Sequence, residues 1–176
     1  MTSQEQAILL SLDEIVHKPA IQTALQPVVG RVCKQLASKS DEVMAWEPMP
    51  LSLFGDALPS AIRSAWIFVL RAGTNTGAER HPNSHQRMMS LVGIGDMQTK
   101  ATLDDSWKSN VLISDPPEPL ERRWISIPPN MWHQPVISPD QDWVVVSFHT
   151  VPAEELIEER PALADGVGTK QMHYVS

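Results

Sequence analysis

Cysteine is almost missing from this sequence: Cys33 stands alone. A single thiol excludes an internal disulfide framework. Cys33 also lies within a helical apolar pattern, so it is expected as a small buried hydrophobe and not as a nucleophile. Long hydrophobic runs are missing too. The most apolar stretch, Ala65 to Leu70, is far too short to span a bilayer as a helix. The opening MTSQEQAILLSLDE lacks the charged start and long apolar core of a secretory signal, so a cytoplasmic location is expected. Basic residues are few, 14 against 21 acidic ones, for a formal net charge of −7. With no lysine- or arginine-rich run, such a chain repels phosphate backbones and anionic lipid. No nucleic-acid partner and no membrane partner are expected. The sequence also contains no H-E-x-x-H, no G-x-S-x-G, no phosphate-binding loop and no paired-cysteine zinc motif.

What is present fits one globular domain with an extension: 176 residues, 42% hydrophobic and 20% charged. Fifteen prolines imply many turns and sheet edges. Residues 1–40 read as a helical extension. Ile21, Leu25, Val28, Val29, Val32 and Leu36 recur at spacings of three and four and mark one helix face. Pro19 suits a first turn, and Pro27 is expected to divide or kink the segment. From about residue 41 to 160, short runs rich in Trp, Ile, Val and Phe alternate with turn residues. Strands are expected at Val43–Glu47, Leu51–Phe54, Arg63–Arg71, Gln86–Val92, Gly95–Ala101, Asn110–Ser114, Trp124–Ile127, Met131–Ile137 and Asp142–Thr150. That spacing points to a mainly β barrel or double-sheet roll. Ala153 to Glu159 reads as a short acidic helix, and residues 161–176 as an irregular tail.

The chemistry concentrates in GAERHPNSHQRMMSLVGIG, residues 77–95. Glu79 and His81 are two apart, which puts both side chains on one face of a strand. Pro82, Asn83 and Ser84 form a turn, after which Gln86–Val92 is expected to return antiparallel. A four-residue connection sets Gln86 opposite His81, and a three-residue connection sets His85 there. Arg87 shares the His85 face, and burying it requires a partner, which favours Gln86 inward. In RRWISIPPNMWHQPVI, residues 122–137, the turn Pro128-Pro129-Asn130 leads to His133. An imidazole there can point back beside Glu79 and His81. One carboxylate and two imidazoles suit Fe(II), Mn(II), Zn(II) or Ni(II), and with open positions they match the 2-His-1-carboxylate set of non-haem iron oxygenases.

These two segments resemble the paired motifs of the cupin family, G-x5-H-x-H-x(3,4)-E-x6-G and P-x-G-x2-H. Glu79 stands in the first histidine slot, His81 in the second, and Gln86 in the glutamate slot. Gly93 stands at the closing glycine, and Pro128 and His133 match the second motif. The departures are a glutamate for the first histidine, a glutamine for the glutamate and Asn130 for the motif glycine. The resemblance covers about residues 63–150. It implies a cupin-type double-stranded β-helix, a jelly-roll barrel, holding one divalent transition metal ion on Glu79, His81 and His133. Gln86, His85 and His149 would then bind substrate or move protons. His85 is open among a fourth ligand, a pocket acid or base, and an outer loop residue. His149 shares a face with Trp143, Val145 and Ser147, and is either a pocket residue or a rim residue bonded to backbone. Arg71 and Arg87 could bind an anionic substrate, although paired surface charges are the plainer reading. Trp132 and Trp66 could wall a pocket or fill the core. A metal-dependent enzyme acting on a small molecule is expected, with an Fe(II) dioxygenase first and an isomerase or lyase next. A non-catalytic binding or sensor module is the alternative, favoured by Gln86. A homodimer is expected, since cupins commonly pair and the helices need somewhere to lay their apolar face, although that face could equally cover the chain's own barrel.

Overall fold

The computed structural model describes residues 2–161 and 169–173. Two helices come first, α1 (Ser3–Val16) and α2 (Pro19–Ala37). The Thr2 hydroxyl accepts from the Glu5 N–H and caps α1. Pro19 opens α2, where its missing N–H costs nothing, and Pro27 lies inside α2 without ending it. Strands follow: β1 (Met44–Met49), β2 (Ser64–Leu70), β3 (Gln86–Val92), β4 (Ile94–Lys100), β5 (Val111–Ile113), β6 (Trp124–Ile127), β7 (Trp132–Ile137), β8 (Trp143–His149), β9 (Ile157–Pro161) and β10 (Thr169–His173). A one-turn helix, Leu120–Arg123, precedes β6.

The strands form antiparallel sheets in the orders β1-β2-β8-β3-β6, β5-β4-β7 and β10-β9. Isolated bridges, Glu79 to His133 and Arg80 to Glu159, insert residues 79–80 between β7 and β9. The second layer thus runs β5-β4-β7, then the Glu79 segment, then β9-β10.

Burial explains the sequence pattern. Every residue of β2 and of β8 is buried, because the five-stranded sheet is covered on both faces, and such strands read as unbroken apolar runs. One face carries Trp66, Phe68, Met88, Trp143 and Val145, which pack with Met97, Leu112 and Ile137 of the smaller sheet. The other face carries Ile67, Val69, Met89, Val146 and Phe148, which pack against Leu9, Leu12, Leu25, Val28 and Val32 of the helices. The apolar helix face is therefore covered by the chain's own sheet. Burying a Leu or Val side chain contributes about 1.5–3 kcal/mol, so this layer is a major part of the core.

Charged clamps fix α1 in register. Glu5 accepts from Arg87 Nε at 2.7 Å and Nη2 at 2.8 Å, and Asp13 pairs with Arg123 and with Trp124 Nε1. Arg87 is only 4% exposed. The partner its burial demands comes from the N-terminal helix.

Several expectations are corrected. Leu51–Phe54 is a 3-10 turn and not a strand, started by Pro50, ended by Gly55 at φ 76° and anchored by Phe54, whose ring lies edge-on 5.0 Å from Phe148. Ala153–Glu155 is a single 3-10 turn. The acidic helix fails beyond it because the Glu159 backbone pairs with Arg80. The tail is not irregular throughout, since Thr169–His173 pairs with Ile157–Pro161. Residues 162–168 and 174–176 lie outside the described residues. β3 does not return against the Glu79 segment; its partners are β8 and β6. Among the described residues, no helix is long and apolar enough to cross a membrane.

Candidate metal centre

The centre is built by strand pairing. Glu79 and His133 exchange both backbone hydrogen bonds at 2.8 Å. Directly opposed residues of an antiparallel pair project to the same face. Two residues on, the Asn130 N–H donates to the His81 carbonyl at 3.1 Å and closes the turn that returns the chain to His133. Asn130 holds φ at 66°, a left-handed conformation that asparagine tolerates better than most residues. The motif glycine is thus replaced without losing its backbone shape.

One carboxylate oxygen and one ring nitrogen each from Glu79, His81 and His133 lie within 4.8 Å of one another. Glu79 Oε1 is 3.4 Å from His133 Nε2, and the His81 and His133 ring centroids are 5.3 Å apart. The three residues are 8%, 3% and 0% exposed. His81 Nδ1 lies 3.0 Å from the Ile157 carbonyl and His133 Nδ1 3.1 Å from the Met131 carbonyl. A carbonyl only accepts, so each Nδ1 donates, which leaves Nε2 of each ring as its candidate ligand atom. His133 Nε2 is buried with no hydrogen-bond partner. An orphaned nitrogen facing a carboxylate, with its ring oriented from behind, fits a metal ligand.

The electrostatics agree. Burial pushes the His81 pKa down to about 4, assisted by the neighbouring His133. His81 is therefore neutral at pH 7, as a ligand must be. Burial opposes charge on Glu79, but contact with His133 and the nearness of His81 and Arg160 outweigh it and hold the carboxyl below its ordinary range.

Alternation along the strands sorts the other candidates. His149 is buried, with its ring edge-on 5.1 Å from His81, and burial holds its pKa well below the ordinary histidine value. It bonds serine hydroxyls, not backbone: Nδ1 lies 3.2 Å from Ser84 Oγ and Nε2 lies 3.1 Å from Ser147 Oγ. Ser147 also accepts from Gln86 Nε2 at 3.1 Å. His149 thus stands beside the cluster with both nitrogens engaged. Gln86 lines an interior cavity together with Glu79.

Three candidates fall elsewhere. His85 precedes inward-facing Gln86 and so faces the helices, with Nε2 2.7 Å from Ser126 Oγ and 3.6 Å from Glu5. Trp132 precedes His133 and faces away from the cluster, where the Arg80 guanidinium sits 4.7 Å from its ring centroid. Arg71 donates to the carbonyls of Leu36, Lys39 and Glu42 at 2.8 Å and caps the end of α2. None of the three reaches the centre.

Sequence reasoning missed Arg160 and Glu158. Arg160 Nη2 donates to Glu79 Oε2 at 2.6 Å, Nη1 to the Thr76 carbonyl at 2.7 Å, and Nε to Glu158. Glu159, between them, lies on the other face of the strand and accepts from Arg80 Nε at 2.8 Å. The period-two placement of Glu158 and Arg160 is visible in I-E-E-R-P, but the acidic run reads equally as a helix.

No protein-family model matches this sequence and no curated protein matches it. Similar solved structures exist. CapF bound to the inhibitor 3-isopropenyl-tropolone superposes with a TM-score of 0.50 at 15% identity, over 65% of this chain and 30% of that one. Oxalate oxidase in complex with glycolate gives 0.47 at 16% identity, over 64% and 54%. A Bacillus halodurans protein gives 0.44 at 20% identity, over 51% and 62%. This chain spans less than two thirds of each of them. CapF is a cupin, and the likeness to it is one of fold. The protein has the cupin fold, a jelly-roll β-barrel that here gathers a carboxylate and two imidazoles on one interior face.

Proposed function

We propose that this protein binds one divalent transition metal ion through Glu79, His81 and His133 and uses it on a small molecule. The observation that carries the reading is the buried, unpartnered His133 Nε2, 3.4 Å from a Glu79 carboxylate that is itself buried and ionised. Two imidazoles and one carboxylate favour Fe(II), Mn(II), Zn(II) or Ni(II) over calcium or magnesium. When bound, such an ion supplies Lewis acidity or, as Fe(II), oxygen chemistry. A non-haem dioxygenase is the first reading and an isomerase or lyase the second.

The chain's own residues have separable tasks. The Ile157 and Met131 carbonyls orient the two rings. Arg160 holds Glu79 Oε2 and leaves Oε1 toward His133. Ser147 and Ser84 hold the His149 ring in place at the edge of the cluster. His85, Arg71 and Trp132 have no part in this centre.

A non-catalytic sensor or binding module is a second reading. It is favoured by the enclosure of the centre, whose ligands are all at most 8% exposed. Metal analysis of the purified protein tests the metal reading. Near-stoichiometric metal, lost in His81→Ala and His133→Ala while the fold is retained, supports it. Metal-free protein that gains no thermal stability from added Fe(II), Mn(II), Zn(II) or Ni(II) overturns it. Turnover by the metal-loaded protein then separates enzyme from module.

A further inference from the structure

We infer that the barrel interior beside Glu79 is a binding site for one neutral, hydrogen-bond-donating ligand of one or two heavy atoms, with water as its simplest occupant. The site is a cavity of about 20 Å³ walled by Thr76, Glu79, Gln86, Met88, Met97 and Phe68, among others. A water molecule needs roughly 10–15 Å³, so this volume accepts one water or a molecule slightly larger. A carboxylic acid of several carbons exceeds it.

The wall chemistry selects the ligand further. Thr76 is 8% and Gln86 5% exposed. Thr76 Oγ1 and Gln86 Oε1 are both buried without a hydrogen-bond partner. Buried polar atoms are nearly always satisfied, and these two belong to residues of one small cavity that is otherwise mostly apolar. The Gln86 amide is oriented by its donation to Ser147, which leaves Oε1 as a pure acceptor. The Thr76 hydroxyl both donates and accepts. A ligand must therefore bring at least one O–H or N–H. An anion would meet the Gln86 carbonyl oxygen and the Glu79 carboxylate, while the nearby Arg160 guanidinium is already directed at Glu79, Glu158 and the Thr76 carbonyl.

This inference goes beyond the metal reading and does not need it, because it rests on two unpartnered oxygens and a volume. If the centre is loaded, the same site limits the size of molecule that can stand beside Glu79.

Crystals of the full chain test it. A single peak within hydrogen-bonding distance of both Thr76 Oγ1 and Gln86 Oε1 is expected, replaced by methanol on soaking, unchanged by benzoate, and lost in the double variant Thr76→Val, Gln86→Met. A dry cavity in a map that shows other buried waters overturns the inference. So does xenon uptake there by the wild-type protein under pressure, which would mark an apolar void and needs no variant to fold. Metal content is measured on the same protein, so a metal-free crystal with the peak present defeats only the metal reading.

Discussion

Glu79 and His133 stand directly opposite each other across an antiparallel bridge, sharing two 2.8 Å backbone hydrogen bonds, with Oε1 and Nε2 3.4 Å apart. Residues 54 positions apart in the chain are thereby locked to one face by pairing geometry and not by loop placement. Removing the charge of Glu79 should weaken metal binding without loosening the bridge. Glu79→Gln keeps the size and removes the anionic donor, and a loss of 10-fold or more in Zn(II) or Mn(II) affinity is expected by equilibrium dialysis, with an unchanged far-UV spectrum.

Glu5 and Asp13 link helix α1 to the barrel, and the pH dependence of folding should report them. Burial raises both carboxyl pKa values, but their arginine partners, with Ser126 for Glu5 and Trp124 for Asp13, more than offset it and leave both below their ordinary values of 4.5 and 3.8. A carboxyl with a depressed folded-state pKa contributes stability that is complete above its unfolded-state value and is lost as pH falls through the folded-state value. Stability should therefore decline below about pH 4.5. Glu5→Gln should flatten that decline and, by stranding buried Arg87, cost about 3–5 kcal/mol at neutral pH. Urea unfolding across a pH series measures both.

Two glycines should respond in opposite directions to alanine. A Cβ on Gly95 would lie 2.1 Å from Cε3 of Trp143, whose indole N–H is fixed by Ser90 Oγ at 2.9 Å. Gly95→Ala should cost at least about 1–3 kcal/mol through overpacking. Gly30 sits exposed within α2 with nothing near its Cβ position, and Gly30→Ala should stabilise by about 1 kcal/mol. Chemical denaturation of the two variants in parallel is the comparison.

Asn130 should accept glycine and reject a β-branched residue. At φ 66°, Asn130→Gly is expected to be near neutral and Asn130→Val to cost roughly 1–2 kcal/mol. Because the Asn130 N–H bonds the His81 carbonyl, the valine variant should also lose metal affinity, which calorimetric titration would detect.

Much of the fold was legible. The bounds of β3 and β6 follow directly from their apolar runs and turns, and most other strands lie within two residues of the expectation, because strand propensity and turn chemistry are local. Leu51–Phe54 was not legible, since a short apolar run between prolines reads as a strand until the ring of Phe54 finds Phe148. Arg160 was hidden because β9, three charged residues between Ile157 and Pro161, has no apolar alternation to mark it.

The sequence by itself determined the β architecture, the helical extension and the pairing of Glu79 with His81 on one face, all properties of periodicity within a single segment. Only the tertiary structure decided which distant residues join them. Strand registry put His133 opposite Glu79, brought His149 against His81 through β8, and turned His85 and Trp132 to the far faces. Such choices depend on pairing between segments far apart in the chain, where a shift of one residue exchanges the two faces of a strand.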